Sequence, residues 1–300
     1  MLIENKSSCY SETNTRKREL CAPYNQLPVI MKKLIPLILF FSLNIGFSQT
    51  NELKGKWISD ENEMISFNSE YDNKSSLTSK ITSDDFYLEV LNDTLSFQSR
   101  YYTSADDYKK MITDRYDFKI EKMTDSILII KPISKFSINF FGNSNPVTFK
   151  NQKFITDKNF EFEKLVFHTS TCFGSCPVIH LEILKDGTFK LDGTYYKNRS
   201  YNSKDSERSG NFTGILKNED LKELNDLIVK SRIITFEDTK GNMFCCDGAV
   251  KTIILYHNGK RNYFKAMFEP KLVQELVGFL YLIDKKAELT KTDEKFEFEK

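Results

Sequence analysis

The fold of this chain is constrained most by a set of paired segments joined by short polar turns. Apolar and polar residues alternate along each segment. Two pairs occur early: "FYLEVLNDTLSFQSRYY" turns at Asn92-Asp93 and "YDFKIEKMTDSILIIKP" turns around Thr124-Asp125. Alternation of apolar and polar residues is typical of a strand with one buried face, and a short polar turn joins neighbouring strands antiparallel. Further short strands are expected at 64–67, 147–150 and 153–155. Residues 51–156 are therefore predicted to form an all-β domain, an antiparallel meander or a small barrel.

Residues 160–290 combine the same strand pattern with two helices. Strands are predicted in "FEFEKLVFHTS", in a hairpin turned at Asp186-Gly187 and in another turned at Asn258-Gly259. A helix beginning at Asn218 and a second near Pro270 each place apolar residues on one face. Those residues are Leu221, Leu224, Leu227 and Ile228 in the first helix, and Leu272, Val273, Leu276, Leu280 and Ile283 in the second.

This order of elements predicts an antiparallel sheet covered on one face by two helices, and the fold class of the whole chain is α+β. A length of 300 residues also favours two modest domains over one. The charged segment 291–300 is expected to be a frayed or disordered tail.

The segment "MKKLIPLILFFSLNIGFSQT" has the form of a secretory signal peptide over residues 31–48. Lys32 and Lys33 give the positive start, and the apolar run that follows is shorter than the ~20 residues that span a bilayer. The mature protein is therefore expected to be exported, periplasmic or extracellular, without a stable membrane span. Residues 1–30 precede this signal and are interpreted as an over-extended gene start or a disordered leader.

Charge and motifs narrow the classes of function. The formal net charge is +1, so there is no basic excess of the kind that nucleic-acid binding requires. The sequence contains no Gly-rich phosphate loop, no Gly-x-Ser-x-Gly elbow and no His-Glu-x-x-His helix. A non-catalytic role without a cofactor is favoured over an enzymatic one.

Four cysteines follow the expected signal cleavage: Cys172, Cys176, Cys245 and Cys246. An even number of cysteines in an oxidising compartment favours disulfides. Because Cys245 and Cys246 are adjacent, a bond between them requires a strained ring, and the favoured pairing links each to Cys172 or Cys176. A Cys172–Cys176 disulfide with two free thiols is the alternative.

Two further uses of these cysteines are open. A thiol-disulfide exchange site is one, although such sites usually have Cys-x-x-Cys at a helix start. A metal site formed by the four cysteines with His168 and His180 is the other, since thiolate and imidazole suit zinc or copper. The three-residue spacing in Cys172–Cys176, and two adjacent cysteines, fit neither pattern well.

Two short motifs resemble known families. "LKGKW", with Leu53, Gly55 and Trp57, resembles the Gly-x-Trp opening of lipocalin-like domains, which implies a small apolar ligand or a structural role. "CFGSCP" resembles the Cys-Phe-Gly-x-Cys-Pro-x-Tyr signature of an uncharacterised domain family of exported bacterial proteins, over residues of about 162–285. Ile179 departs from the tyrosine often found there. This resemblance implies a fold and a compartment, but no activity.

A loop after the second-domain hairpin is a candidate binding site. It carries Tyr195, Tyr196, Arg199 and Tyr201 beside a Ser- and Asn-rich stretch, and such loops often bind partners. We therefore expect an exported, non-catalytic binding or interaction module of the cell envelope. Its partner is an unknown protein or a small apolar ligand. The alternative is an envelope redox or metal-handling protein.

Overall fold

The structure is a computed structural model that describes residues 53–67, 74–80, 82–197, 203–236 and 247–300. The leader, the signal peptide, Arg199, Tyr201, Cys245 and Cys246 lie outside the described residues. From Leu53 onward the described chain belongs to one compact unit. Within it, no described helix has the length and apolar character needed to cross a bilayer.

The first part is a closed eight-stranded antiparallel barrel. Each strand pairs with the next in sequence, and β8 pairs back with β1. The strands are β1 (Gly55–Ser59), β2 (Met64–Phe67), β3 (Lys74–Thr78), β4 (Ser83–Leu91), β5 (Thr94–Tyr102), β6 (Met111–Met123), β7 (Ile127–Pro132) and β8 (Val147–Asn151). Both predicted hairpins are present, as β4–β5 and β6–β7. The predicted small barrel is confirmed.

Aromatic side chains fill the interior of the barrel. Phe97, fully buried, lies at the centre with ring-centroid distances of 6.5 Å to Phe67, 6.1 Å to Phe86 and 5.8 Å to Phe118. Trp57 is buried in the same core, and its indole N–H donates to the Lys54 carbonyl at 3.1 Å. Alternating strand residues thus supply one continuous apolar core.

A short helix that the sequence pattern did not predict packs against this core. Helix α1 (Lys135–Phe141) begins after Ser134, whose side chain accepts from the Ser137 backbone N–H in a reciprocal capping box. Phe140 and Phe141 of the helix join the barrel core. The strand expected at 153–155 is also absent, because Gln152–Phe154 form one turn of 3₁₀ helix.

The second part is a seven-stranded antiparallel sheet with the order β14-β13-β9-β10-β11-β12-β15. Its strands are β9 (Phe162–Thr169), β10 (Val178–Leu184), β11 (Thr188–Thr194), β12 (Gly210–Leu216), β13 (Lys251–His257), β14 (Lys260–Ala266) and β15 (Ala287–Thr292). The helices are α2 (Asn218–Ser231), α3 (Gln274–Tyr281) and the short α4 (Ile283–Lys286). The predicted α+β class is confirmed.

The helices cover one face of this sheet. Alternate strand residues such as Leu165, Phe167 and Leu181 share a core with Leu224 and Leu276 of the helices. The five residues predicted for the second helix face are all buried, although the regular helix begins at Gln274 after a turn. We call the opposite side of the sheet the outer face.

Two strands of the second sheet, β12 and β15, were not predicted. They pair with each other, so β15 forms one edge of the sheet. The expectation of a frayed segment at 291–300 is therefore corrected. Its first residues complete β15, and its last residues contact the outer face.

Polar contacts join the barrel to the sheet. Arg232, at the end of α2, donates to the backbone oxygens of Ser59 and Asp60 at 2.6 and 3.1 Å. Lys271 lies 2.6 Å from Asp85 of β4. A small apolar cluster of Ile58, Met64 and Leu272 is also shared by the two parts. The domain boundaries remain a prediction.

Candidate functional site

The loop between β9 and β10 is closed by a disulfide between Cys172 and Cys176, whose Cα atoms are 5.7 Å apart. Gly174 lies between them with a φ of 149°, a conformation that favours glycine and lets the chain turn back within five residues. This corrects the favoured pairing of Cys172 and Cys176 with Cys245 and Cys246 and shows the bond of the alternative; its two free thiols fall at residues outside the described part of the chain. We call residues 170–177 the cysteine loop.

Hydrogen bonds hold the cysteine loop against the chain before β13. The Phe173 N–H donates to the Asp247 carbonyl at 3.2 Å, and Ser170 N–H donates to the Val250 carbonyl at 2.9 Å. Asp247 directly follows Cys246 in sequence. The described contacts of the cysteine loop with this part of the chain are thus hydrogen bonds to residues that follow Cys246, which itself lies outside the described residues.

The loop exposes its aromatic residue. Phe173 has 87% of its surface exposed, although the disulfide and the hydrogen bonds fix its backbone. A cleft of about 440 Å³ beside it is lined by Thr171, Cys172, Gly174, Cys176 and Tyr196. The structure therefore brings the predicted Tyr196 to the cysteine loop.

Tyr195 differs from its neighbour. It is 1% exposed, because it continues the alternation of β11 that points toward the helices. The Arg208 guanidinium lies 4.4 Å above its ring, and burial raises the pKa of its phenol. Tyr195 is thus part of the core and is not available for binding as a member of the candidate loop.

His168 and His180 face each other across β9 and β10 on the outer face. Their Nδ1 atoms are 2.9 Å apart, and His168 Nε2 lies 2.6 Å from the Glu299 carbonyl oxygen. A carbonyl oxygen only accepts, so His168 Nε2 carries the proton. A neutral His168 then accepts at Nδ1, and His180 donates. Burial lowers the pKa of His168, which favours this neutral form.

The segment 293–300 covers part of the outer face, and sequence reasoning did not place it there. It leaves β15, and Asn211 donates to the Glu294 carbonyl at 2.6 Å. Phe298 then lies 6.2 Å from the His168 ring and 6.0 Å from the His180 ring. We call residues 293–300 the covering segment.

The Glu299 carboxylate is the most contacted group of the covering segment. Tyr256 donates to it at 2.7 Å, Arg261 at 2.9 Å and Lys164 at 3.1 Å. Partial burial opposes ionisation, but these three hydrogen bonds outweigh burial and lower the pKa of Glu299 to about 2. The pairs Lys164/Tyr256 and Tyr256/Arg261 are neighbours in the strand register, so the sheet itself arranges the three donors.

The metal alternative includes Cys245 and Cys246, which lie outside the described residues, so it stays a prediction, and only its other four residues are described. The described residues contain no group of three or more His, Cys, Asp or Glu side chains placed to hold a metal ion. Cys172 and Cys176 form a disulfide, so neither offers a thiolate. The two histidines are hydrogen-bonded to each other through their Nδ1 atoms.

The fold and the site define an α+β protein in which a closed barrel precedes a disulfide-looped sheet domain. Residues 163–284 match a family described as a domain of unknown function (DUF6438). The match covers the cysteine loop, both histidines and α3, and it ends before the covering segment. No curated protein matches the chain.

Because the Cys172–Cys176 disulfide closes a short loop, its removal should destabilise the protein less than removal of a disulfide between distant residues. A Cys172→Ser/Cys176→Ser variant should lose about 2 kcal/mol of unfolding free energy, the chain-entropy value for so short a loop. Urea unfolding of the variant and the parent measures this difference. Mass spectrometry of unreduced peptides should find Cys172 linked to Cys176; a link from either to residue 245 or 246 contradicts the structure.

Docking of the covering segment should depend on pH. Glu299 has a lowered pKa when docked, so docking is favoured above its ordinary value of 4.5 and is lost as pH falls from there toward 2. Backbone NMR signals of Phe298 should therefore move to free-peptide positions over this range. A Glu299→Gln variant should show weakened docking at neutral pH and no such acid transition, whereas Glu297→Gln, at an exposed position, should behave as the parent.

Proposed function

We propose that this protein is an exported, non-catalytic binding module of the cell envelope that contacts a protein partner through the cysteine loop. The observation that carries the proposal is Phe173, which is 87% exposed on a covalently closed loop. A fixed aromatic side chain loses little conformational freedom on binding, and aromatic anchors dominate many protein interfaces. The adjoining cleft with Tyr196 offers further contact area.

Export is part of the same proposal. The signal-like segment 31–48 and the Cys172–Cys176 disulfide are both typical of proteins in oxidising compartments. N-terminal sequencing of the protein recovered from the periplasm or the medium should find a start near Gln49. Recovery of an uncleaved cytoplasmic chain contradicts this part.

The family resemblances support the assignment of roles to the two parts. We propose that Cys-Phe-Gly-x-Cys-Pro is the signature of the matched domain, because its cysteines and glycine form the closed loop. We also propose that the barrel is lipocalin-like, since it is a closed eight-stranded meander with Trp57 buried in its core. Its aromatic filling favours a structural role over binding of a small apolar ligand.

A photo-crosslinking amino acid at position 173 tests the binding site directly in cells that produce the protein. We expect one defined crosslinked partner, whose purified form then binds the parent chain. Phe173→Ala should weaken this binding at least about tenfold, the effect of a modest aromatic hot spot. The matched control is Phe154→Ala, which removes an equally large side chain that is 51% exposed and lies outside the cysteine loop. Equal binding by both variants contradicts the proposal.

Thiol exchange is the second candidate, and the observation that favours it is the partial exposure of both cysteines beside the cleft. An exchange role requires the cysteine loop to cycle between disulfide and dithiol. If the Cys172→Ser/Cys176→Ser variant still binds the partner once its fold is verified, exchange is unnecessary for binding. If the folded variant does not bind the partner, and a thioredoxin-like protein reduces the disulfide of the parent, the two results together support thiol exchange.

A further inference from the structure

The covering segment contacts the outer face with one side of an extended peptide. Phe296, Phe298 and Glu299 are partly buried, whereas Asp293, Lys295 and Glu297 are exposed. The segment forms no strand pairing with the sheet beneath it. Its attachment therefore depends chiefly on three side chains, with a spacing of aromatic, any residue, aromatic, acid.

The acid position is a formed carboxylate site. Lys164, Tyr256 and Arg261 come from three adjacent strands and converge on one carboxylate. Without Glu299, the described acidic group nearest to Lys164 is Glu182, at 3.7 Å, and no described acid pairs with Arg261. Two cations and a phenol on a half-buried surface thus favour an anionic partner.

The outer face also provides contacts for the two aromatic residues of the covering segment. Phe298 packs over the two hydrogen-bonded histidines, and the Phe296 ring lies 5.5 Å from the Lys190 ammonium. The His168 Nε2–H fixes the main chain by donating to the Glu299 carbonyl. Because this N–H donates to a main-chain oxygen, the contact does not depend on the side chains of the peptide. Any peptide that follows the same path can make it.

The covering segment does not fill the surface that it occupies. A cleft of about 750 Å³ remains between it and the sheet, lined by His168, His180, Asp192, Thr252, Tyr263 and Lys265. This volume lies within the usual range of ligand sites. A longer or bulkier peptide than the chain's own segment can therefore be accommodated on the same face.

We propose that the outer face is a second binding surface, which takes an extended peptide of a partner protein carrying two alternate aromatic residues followed by a carboxylate. The covering segment is its intramolecular occupant and competes with that partner. Binding of the partner peptide releases the covering segment from Lys164, Tyr256 and Arg261. This surface is separate from Phe173, so failure of the crosslinking experiment leaves it standing.

Anisotropy titrations with a fluorescein-labelled peptide of residues 292–300, "TDEKFEFEK", test the proposal on the full chain. A Phe298→Ala/Glu299→Gln variant, whose own segment is released, should bind at least about tenfold tighter than the parent. The reason is that an occupied face reduces apparent affinity by the fraction of molecules left free. Lys295→Ala/Glu297→Gln changes exposed positions of the same segment and should bind as the parent does.

Specificity follows from variants of the peptide and of the face. In the released variant, Arg261→Gln should weaken binding at least about tenfold, as should a peptide with the Glu299→Gln change. Circular dichroism verifies that each variant is folded. If the released variant does not fold, NMR of the labelled parent with excess unlabelled peptide is decisive, because displacement must move the Phe298 and Glu299 signals of the chain's own segment to free-peptide positions.

Three results overturn the proposal. One is equal affinity of the parent and released chains, and another is unchanged binding in Arg261→Gln. The third is a dimer of the parent, seen by light scattering, that Glu299→Gln dissociates, because the occupant is then the covering segment of a second copy. Tighter binding by the released chain together with dependence on Arg261 supports the proposal.

Discussion

Phe97→Ala is expected to lower the free energy of unfolding of the barrel by about 3 to 5 kcal/mol, the range for removing a large aromatic side chain from a core. Phe97 is fully buried and contacts three other phenylalanine rings, so the closed barrel has little freedom to collapse around the cavity. Trp57, the only tryptophan, lies in the same core and reports on its unfolding by fluorescence in urea.

Phe154→Ala is the matched control for that experiment. Its side chain is 51% exposed, so the same chemical change should cost less than about 0.5 kcal/mol. Similar losses in the two variants, or a loss under about 1 kcal/mol for Phe97→Ala, contradict the aromatic core described for the barrel.

Gly214→Ala is expected to destabilise the second sheet by about 2 to 3 kcal/mol, the upper part of the range for overpacking. A Cβ at this position in β12 would lie 2.5 Å from Cζ of Phe189 and 3.2 Å from the Glu288 backbone oxygen. The ring of Phe189 is held in the core, and Glu288 belongs to the paired strand β15, so neither moves freely.

Gly278→Ala is expected to have the opposite effect on stability. Gly278 lies in α3, where an added Cβ meets no atom within 4 Å. Replacement of a helical glycine by alanine should stabilise the protein by about 0.5 to 1 kcal/mol. Thermal unfolding followed by circular dichroism measures both variants. An unchanged or raised transition temperature of Gly214→Ala contradicts the described packing at Gly214, and a lowered one for Gly278→Ala contradicts the open space at Gly278.

Elements with strong local signals were predictable from sequence. The turn at Asn258-Gly259 joins β13 and β14 as expected, and Leu272 to Ile283 form a buried face. Such elements carry their signal within about ten residues, as turn chemistry or apolar periodicity. The hairpins also imply the antiparallel sheets, because short turns allow no other pairing.

The missed elements have weak local signals. Strand β12, "GNFTGIL", contains two glycines, which disfavour strands, and β15, "AELTKT", is polar at the edge of the sheet. Helix α1 is rich in phenylalanine, which gives its sequence the composition of a strand. Tertiary contacts decide the structure of these segments, and a single sequence does not display those contacts.

The candidate site was predictable in its members but not in its geometry. The sequence singled out Cys172, Cys176 and Tyr196, and the structure places them together. It also singled out His168 and His180, but the partner of this pair, Glu299, lies more than one hundred residues away in the chain. The conformation at Gly174, which permits the short disulfide, is likewise a property of backbone angles rather than of spacing.

Strand β14 forms the edge of the second sheet opposite β15, and its sequence "KRNYFKA" carries three positive charges. An edge strand presents backbone groups on which misfolded or crowded chains can aggregate. Antiparallel pairing of the β14 strands of two molecules would bring like charges to within about 5 Å of each other. Electrostatic repulsion therefore disfavours fibril-like growth along this edge, and its protection should weaken as ionic strength rises.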